Sequence, residues 1–395
     1  MNSLSSSEDA KAILLLCGHV GGEEGPRPLT LSMYNRLALW LKDHGHRPRN
    51  LIAGSALEEL QQEAPDGLDL TRITQLLERG AAVAFAIERW MNKGVWILCH
   101  SDAGYPQRLR NHLGVHAPPI LYGFGQQQLL EAGGLAVVGS RNVDDEGGEF
   151  AAEVSRRAAK QGMGVISGAA RGVDQIAMRS ALEEGGIVVA VLADSLLRTA
   201  LQAEAREAIR AKKLLLVSSF QPEAGFHIGS AMERNKYIYG LSDFALVVSA
   251  EHETGGTWSG AVEELKRDPH IPVFVRMEGK IPRANEELVK KGAIPFPEKP
   301  WLVPFSELLS DALAKTEAGA EKITQGDLFG GSHVAEAVPT QSVDIGIQDE
   351  ASQDTAQPVT VFEAVLPVLL GALEQPQKAD DLAEMLDVQK TQLDK

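Results

Sequence analysis

The chain has 395 residues, 44% of them hydrophobic, and a formal net charge of −16 from 54 acidic against 38 basic side chains. That length predicts two or three domains with ample apolar material for a core, and the charge excludes a broad basic face of the kind that coats duplex nucleic acid. Two cysteines, Cys17 and Cys99, exclude a disulfide framework and a Cys-x-x-Cys metal pair. The longest apolar runs, 82–87 and 187–192, are too short to cross a bilayer, and residues 1–10 lack the basic start of a secretory signal. The expectation is a cytoplasmic protein with no membrane contact. From Thr316 onward there are 15 acids against 4 bases, so about two thirds of the excess charge sits in the tail. A nucleic-acid site on this chain has to be a local basic pocket.

Residues 1–94 read as an N-terminal helical domain. Apolar positions Leu31, Tyr34, Leu37, Ala38 and Leu41 recur at the helical period over 31–44, with Gly45 as a stop, and further helices are predicted at 71–78 and 81–92. Gly18-His19-Val20-Gly21-Gly22 lacks the Gly-Lys-Ser/Thr ending of a phosphate loop and reads as a turn between helices. From 95 to 312 strand and helix alternate. Strands are predicted at 135–139, 163–167, 187–192, 214–219, 244–249 and 271–275, with helices near 146–161, 173–185, 200–212, 229–240 and 257–267. This alternation predicts an α/β domain, a doubly wound, mostly parallel sheet with helices on both faces. Residues 313–357 read as a flexible acidic linker, and 358–395 as a short helical segment with a second helix at 379–386.

Two of the predicted strands lead into small-residue turns that open a helix. Leu135-Ala136-Val137-Val138 runs into Gly139-Ser140-Arg141, and Met163-Gly164-Val165-Ile166 into Ser167-Gly168-Ala169-Ala170-Arg171-Gly172. In a doubly wound sheet such turns lie outside the carboxyl ends of the strands, where ligands bind. Glycine allows close backbone approach to a phosphate, helix N-terminal N–H groups point at it, and each turn adds an arginine. Arg171 either meets the ligand or pairs with Asp174. Ser140 and Ser167 are expected to donate to phosphate or to cap their helices. A third cluster, Arg234-Asn235-Lys236, follows Glu233, and Arg234 either enters the pocket or pairs with that glutamate. Gly255-Gly256-Thr257 precedes a helix and offers N–H groups to an anion, while Trp258 either stacks on a base or packs at the helix start.

The residues 95–276 resemble the DprA/Smf family of single-strand DNA-binding proteins. The resemblance rests on Tyr105-Pro106 with Leu109, on Ala117-Pro118-Pro119-Ile120-Leu121-Tyr122-Gly123, and on the GSR, SGAARGVD, RNK…GLS and GGTWSGA segments in series. It implies a Rossmann-like domain, a SAM- or helix-hairpin-helix-like N-terminal domain and a partial winged helix at the C-terminus. It also implies non-catalytic binding of single-stranded DNA, a homodimer, and transfer of the strand to a RecA-type recombinase, with no cofactor or metal. Met178 stands where the family usually has His, Lys236 where it has a second Arg, Ala231-Met232 in place of Phe-Pro, and the Tyr-Pro…Asn segment is absent from 193–210. A divergent role in phage defence or in regulating a partner toxin is therefore a second expectation.

Catalysis has little support. The ten histidines show no metal-ligand spacing and no serine sits in a Gly-x-Ser-x-Gly elbow, so no catalytic residue and no metal ligand is assigned. GGTWSGAVEE loosely resembles the Gly-Gly-x-Gly-Thr turn and helix glutamate of LOG-type phosphoribohydrolases. This leaves a nucleotide sensor, or an enzyme cleaving a nucleoside monophosphate through Glu263 or Glu264, as the alternative. In the tail, Gln325-Gly326-Asp327-Leu328-Phe329 resembles the peptides that dock on a replicative sliding clamp, with Gln325 orienting and Leu328 and Phe329 filling an apolar pocket.

Overall fold

The structure, a computed structural model, describes residues 7–20 and 25–326. Six helices come first: α1 (Glu8–Cys17), α2 (Leu31–Asp43), α3 (Arg49–Ile52), α4 (Ser55–Gln62), α5 (Leu70–Glu78) and α6 (Gly80–Asn92). Ser7, Thr30 and Asp69 open α1, α2 and α5, each side chain accepting the N–H three residues on. The helices α2, α5 and α6 lie where the apolar period predicts them. α1 carries no such stripe because all six residues from Ala12 to Cys17 are apolar and buried, and a stretch apolar on every side shows no periodicity.

Among the described residues the nine strands are β1 (Trp96–Cys99), β2 (Ile120–Phe124), β3 (Leu135–Val138), β4 (Val165–Ser167), β5 (Val188–Val191), β6 (Leu214–Ser218), β7 (Phe244–Val247), β8 (Val273–Val275) and β9 (Ile294–Pro295). They form one sheet in the order β1-β2-β6-β5-β4-β3-β7-β8-β9. All pairings from β6 to β9 are parallel; β1–β2 and β2–β6 are antiparallel. The six predicted strands are all present. Of the three additional strands, β1 and β9 are the two edges and β2 lies between β1 and β6. Trp96 pairs with Gly123, and a Cβ on Gly123 would lie 2.0 Å from the Trp96 ring, so this antiparallel pair depends on a glycine opposite a tryptophan.

The remaining helices are α7 (Gln107–Leu113), α8 (Asp145–Lys160), α9 (Val173–Glu183), α10 (Leu196–Ala200), α11 (Ala203–Arg210), α12 (Ile228–Gly240), α13 (Gly255–Leu265), α14 (Arg283–Lys290) and α15 (Phe305–Gly326). Successive strand residues alternate between two cores. Leu135, Val137, Val188, Ala190, Leu214 and Leu216 face one, with side chains from α1–α6, α8–α11 and α15. Ala136, Val138, Val189, Val191, Leu215 and Val217 face the other, with α7, α12, α13 and α14. Burial on both faces explains the unbroken apolar strand runs, and the N-terminal helices share the first core with the sheet.

Two helices differ from expectation. The helix predicted at 200–212 starts later, as α11, because Gln202 takes extended backbone ahead of it, and the short α10 precedes it unpredicted. α15 runs into the segment predicted as linker; it is seated by Phe305 and Leu309, both fully buried, within an aromatic cluster of Phe150, Phe296 and Trp301. The predicted C-terminal segment 358–395 lies outside the described residues, as do Leu328 and Phe329. Gln325 falls within the α15 backbone. No described helix is long and apolar enough to cross a membrane.

Candidate functional site

The direction of travel across the sheet reverses at β3. The crossover through α8 leads to β4 on one side, and α12 returns the chain to β7 on the other. The crevice outside the carboxyl ends of the strands at such a reversal is where doubly wound sheets hold ligands. Each of the four predicted segments reaches this region, though not with every residue.

The glycines serve loop-on-loop packing first. Ser140 N–H donates to the Ser249 carbonyl at 2.9 Å, and Val173 N–H to the Ser140 carbonyl at 3.3 Å. Thr257 Oγ1 donates to the Gly139 carbonyl at 3.1 Å, joining the turn after β3 to the start of α13. A Cβ on Gly139 would lie 2.5 Å from Val173 Cγ2, and one on Gly172 (φ +85°) 2.4 Å from the Ser140 carbonyl oxygen. Asn235 Nδ2 donates to the Gly256 carbonyl at 2.9 Å, clamping α12 to the same helix start.

The three helix N-termini differ in what they leave free. At α8, Asp144 Oδ1 accepts the Gly147 N–H at 2.9 Å, so that terminus is closed by its own acid. At α9, Asp174 Oδ2 accepts N–H from Gly168 at 3.1 Å and Ala170 at 3.4 Å. Gly172 at α9 has no side chain to cap with, and the first N–H of that helix, from Val173, goes to the Ser140 carbonyl; at α13 the cap residue, Thr254, makes no side-chain cap bond, which leaves the Gly255-Gly256-Thr257 end available to an anion by the helix dipole and its orphan N–H groups.

Three arginines supply the positive charge. Arg141 is exposed, its guanidinium 5.6 Å from the centroid of the Phe226 ring. Arg171 is exposed and donates to Asn142 Oδ1 at 3.3 Å. Arg234 is 6% exposed and lies against Gly168, where a Cβ would fall 1.2 Å from its Nη1. It pairs with buried Asp174 at 3.7 Å, so Asp174 is the partner of Arg234 and not of Arg171. Glu233 instead accepts from Tyr237 Oη and pairs with Lys236. Burial raises the Asp174 carboxyl, against the pull of Arg234 and the N–H groups of Ala170, Gly168 and Gly139. Burial likewise lowers the Arg234 guanidinium, against the pull of Asp174, yet arginine stays charged. The Nε of Arg234 is buried with no partner among the described residues.

Three predicted site residues are placed otherwise. Ser167 is fully buried and donates to the Val137 carbonyl at 2.6 Å, a strand-to-strand tie. Lys236 is held on its own helix by Glu233 and the face of Tyr237. Trp258 is 7% exposed and packs against His252, with Lys291 over its ring. Ser140 Oγ accepts the Asn142 N–H at 3.1 Å, fixing the turn that presents Arg141. Glu264 is buried and binds His112 Nε2 at 3.0 Å and the Ile271 N–H at 2.9 Å, while Glu263 pairs with Arg267. Among the described residues no group of three or more His, Cys, Asp or Glu is placed to hold a metal ion. Phe226 is what residue-by-residue reading passes over, and Asp174, read as a partner for Arg171, pairs with Arg234 instead. The signal for Phe226 is an aromatic residue two positions ahead of α12, which itself opens on Ile228.

Comparison with known proteins bears on the family and the fold. The model of one protein family, described as DNA recombination-mediator protein A, matches residues 96–300. Protein Smf of Synechocystis is 28% identical over 231 residues, covering 53% of this chain and 57% of that protein. Protein Smf of Escherichia coli is 31% identical over 181 residues, 45% of this chain and 48% of that one. The match thus spans about half the length of these curated relatives. The crystal structure of DNA processing protein A from Streptococcus pneumoniae superposes with a TM-score of 0.57 at 19% identity, covering 73% of this chain and 93% of that one, a likeness of fold.

Proposed function

The chain belongs to the DNA recombination-mediator protein A family, and on that premise we propose that it binds single-stranded DNA, without chemistry on it, in the crevice beside β3. The observation that carries this reading is the pairing of an exposed Arg141 with the uncapped start of α13. The two are linked through the Thr257–Gly139 hydrogen bond, and together they offer a charged fork and backbone donors to one phosphate. Arg171 and the buried Arg234 add positive charge. Membership of the family is what supports extending the proposal to protection of the strand, its transfer to a RecA-type recombinase and a homodimer; the altered motifs support adaptation to phage defence or toxin regulation.

The test is fluorescence anisotropy of a labelled single-stranded oligonucleotide against the wild type and Arg141→Ala, beside a duplex of the same length. The expected result is tighter binding of the single strand, lost in the variant. Equal binding of both forms by both proteins would overturn the assignment.

A further inference from the structure

Three large apolar side chains are exposed within seven residues of one another next to this crevice: Phe226 at 43%, Ile228 at 62% and Met232 at 48%. The loop that carries Phe226 is anchored. Glu223 accepts from Lys93 Nζ at 3.0 Å and Trp90 Nε1 at 3.3 Å, and pairs with Arg89. Ser195 N–H donates to the Ala224 carbonyl at 2.9 Å, and Leu197 N–H to the Pro222 carbonyl at 3.0 Å. Phe226 follows two residues later, with the Arg141 guanidinium over its ring. Ile228 and Met232 stand four residues apart on α12, on one stripe. Asn235, three residues further along that stripe, bonds the Gly256 carbonyl. The apolar residues therefore lead from Arg141 on one side to the start of α13 on the other.

We propose that Phe226, flanked by Ile228 and Met232, is a nucleobase platform that takes the unpaired base next to the phosphate held at Arg141. The proposal rests on the single-strand reading above and assigns its selectivity to a specific side chain. An aromatic face beside a phosphate-binding arginine matches the two adjoining halves of a nucleotide, and every base has a face to stack. In a duplex those faces are already stacked on one another, so the platform gains nothing from paired DNA. The buried Trp258 has no such face to offer.

The experiment compares, for the full chain, an oligothymidylate and an abasic strand of the same length and phosphate charge. The wild type should bind the base-bearing strand about 5- to 150-fold more tightly, the range for one stacked base. Phe226→Ala should bind both strands alike, at the abasic level, while Phe226→Trp should retain the preference. Equal binding of the two strands by the wild type, or a preference kept by Phe226→Ala, overturns the platform. Binding of neither strand by the wild type overturns the single-strand reading itself, and the platform with it.

Discussion

Arg234 and Asp174 form a charged pair in which both partners are more than nine-tenths buried. Removing one charge from such a pair leaves the other desolvated and alone. Asp174→Ala should therefore lower unfolding stability by about 3–5 kcal/mol in urea denaturation, with further loss from the Gly168 and Ala170 N–H groups it satisfies. Asp174→Asn, which keeps an acceptor, should lose less. The raised carboxyl also sets a pH response. Folding holds the Asp174 proton more tightly than the unfolded chain does, so the stability this group contributes is greatest below the unfolded value and declines as pH rises through the folded one. Protonation also frees Arg234 of its counter-charge. Single-strand affinity should rise as the pH is lowered toward the carboxylate range in the wild type, and this rise should be missing in Asp174→Asn. Parallel pH profiles of the two proteins would refute the link.

At the scale of elements, the crevice is made by loops that touch. Gly139 admits Val173, and Gly172 admits the carbonyls of Ser140 and Arg141. Gly139→Ala should cost about 1–3 kcal/mol of stability by overpacking, read from thermal denaturation, and should weaken oligonucleotide binding by displacing the Arg141 turn. Thr257→Val should cost about 1 kcal/mol, the net worth of one hydrogen bond. Sequence spacing places these glycines correctly and assigns them to phosphate approach. The structure also gives them contacts between loops, because the contact partners, Val173 for Gly139 and the Ser140 and Arg141 carbonyls for Gly172, come from another turn of the chain. The same limit applies to the helix termini: Asp144 can be read as a cap from its position before α8, whereas the free end of α13 appears only when Thr254 is seen to make no such bond.

For the whole molecule, a net charge of −16 leaves binding to a few local contacts. With roughly 3–5 phosphates neutralised, the logarithm of the affinity should fall against the logarithm of salt with a slope of about −2 to −3.5. A slope near −10 in a salt titration would point to a broad basic face that this composition does not provide. The sequence by itself determined the parallel core strands β3–β8, the order of the loops and the arginine of the GSR turn, because strand burial and turn chemistry are encoded locally by apolar runs and small residues. It did not reach the antiparallel β1–β2 pair, the first helix α1, or the pairing of Asp174 with Arg234, and it left Trp258 open between base stacking and packing at the helix start. Those depend on which distant segments meet. A tryptophan before a helix reads the same whether it faces solvent or a core, and an aspartate three residues from one arginine gives no sign that it bonds another sixty positions away. Only packing across the sheet decides which side chains are spent on the fold and which, like Arg141 and Phe226, remain free to meet a ligand.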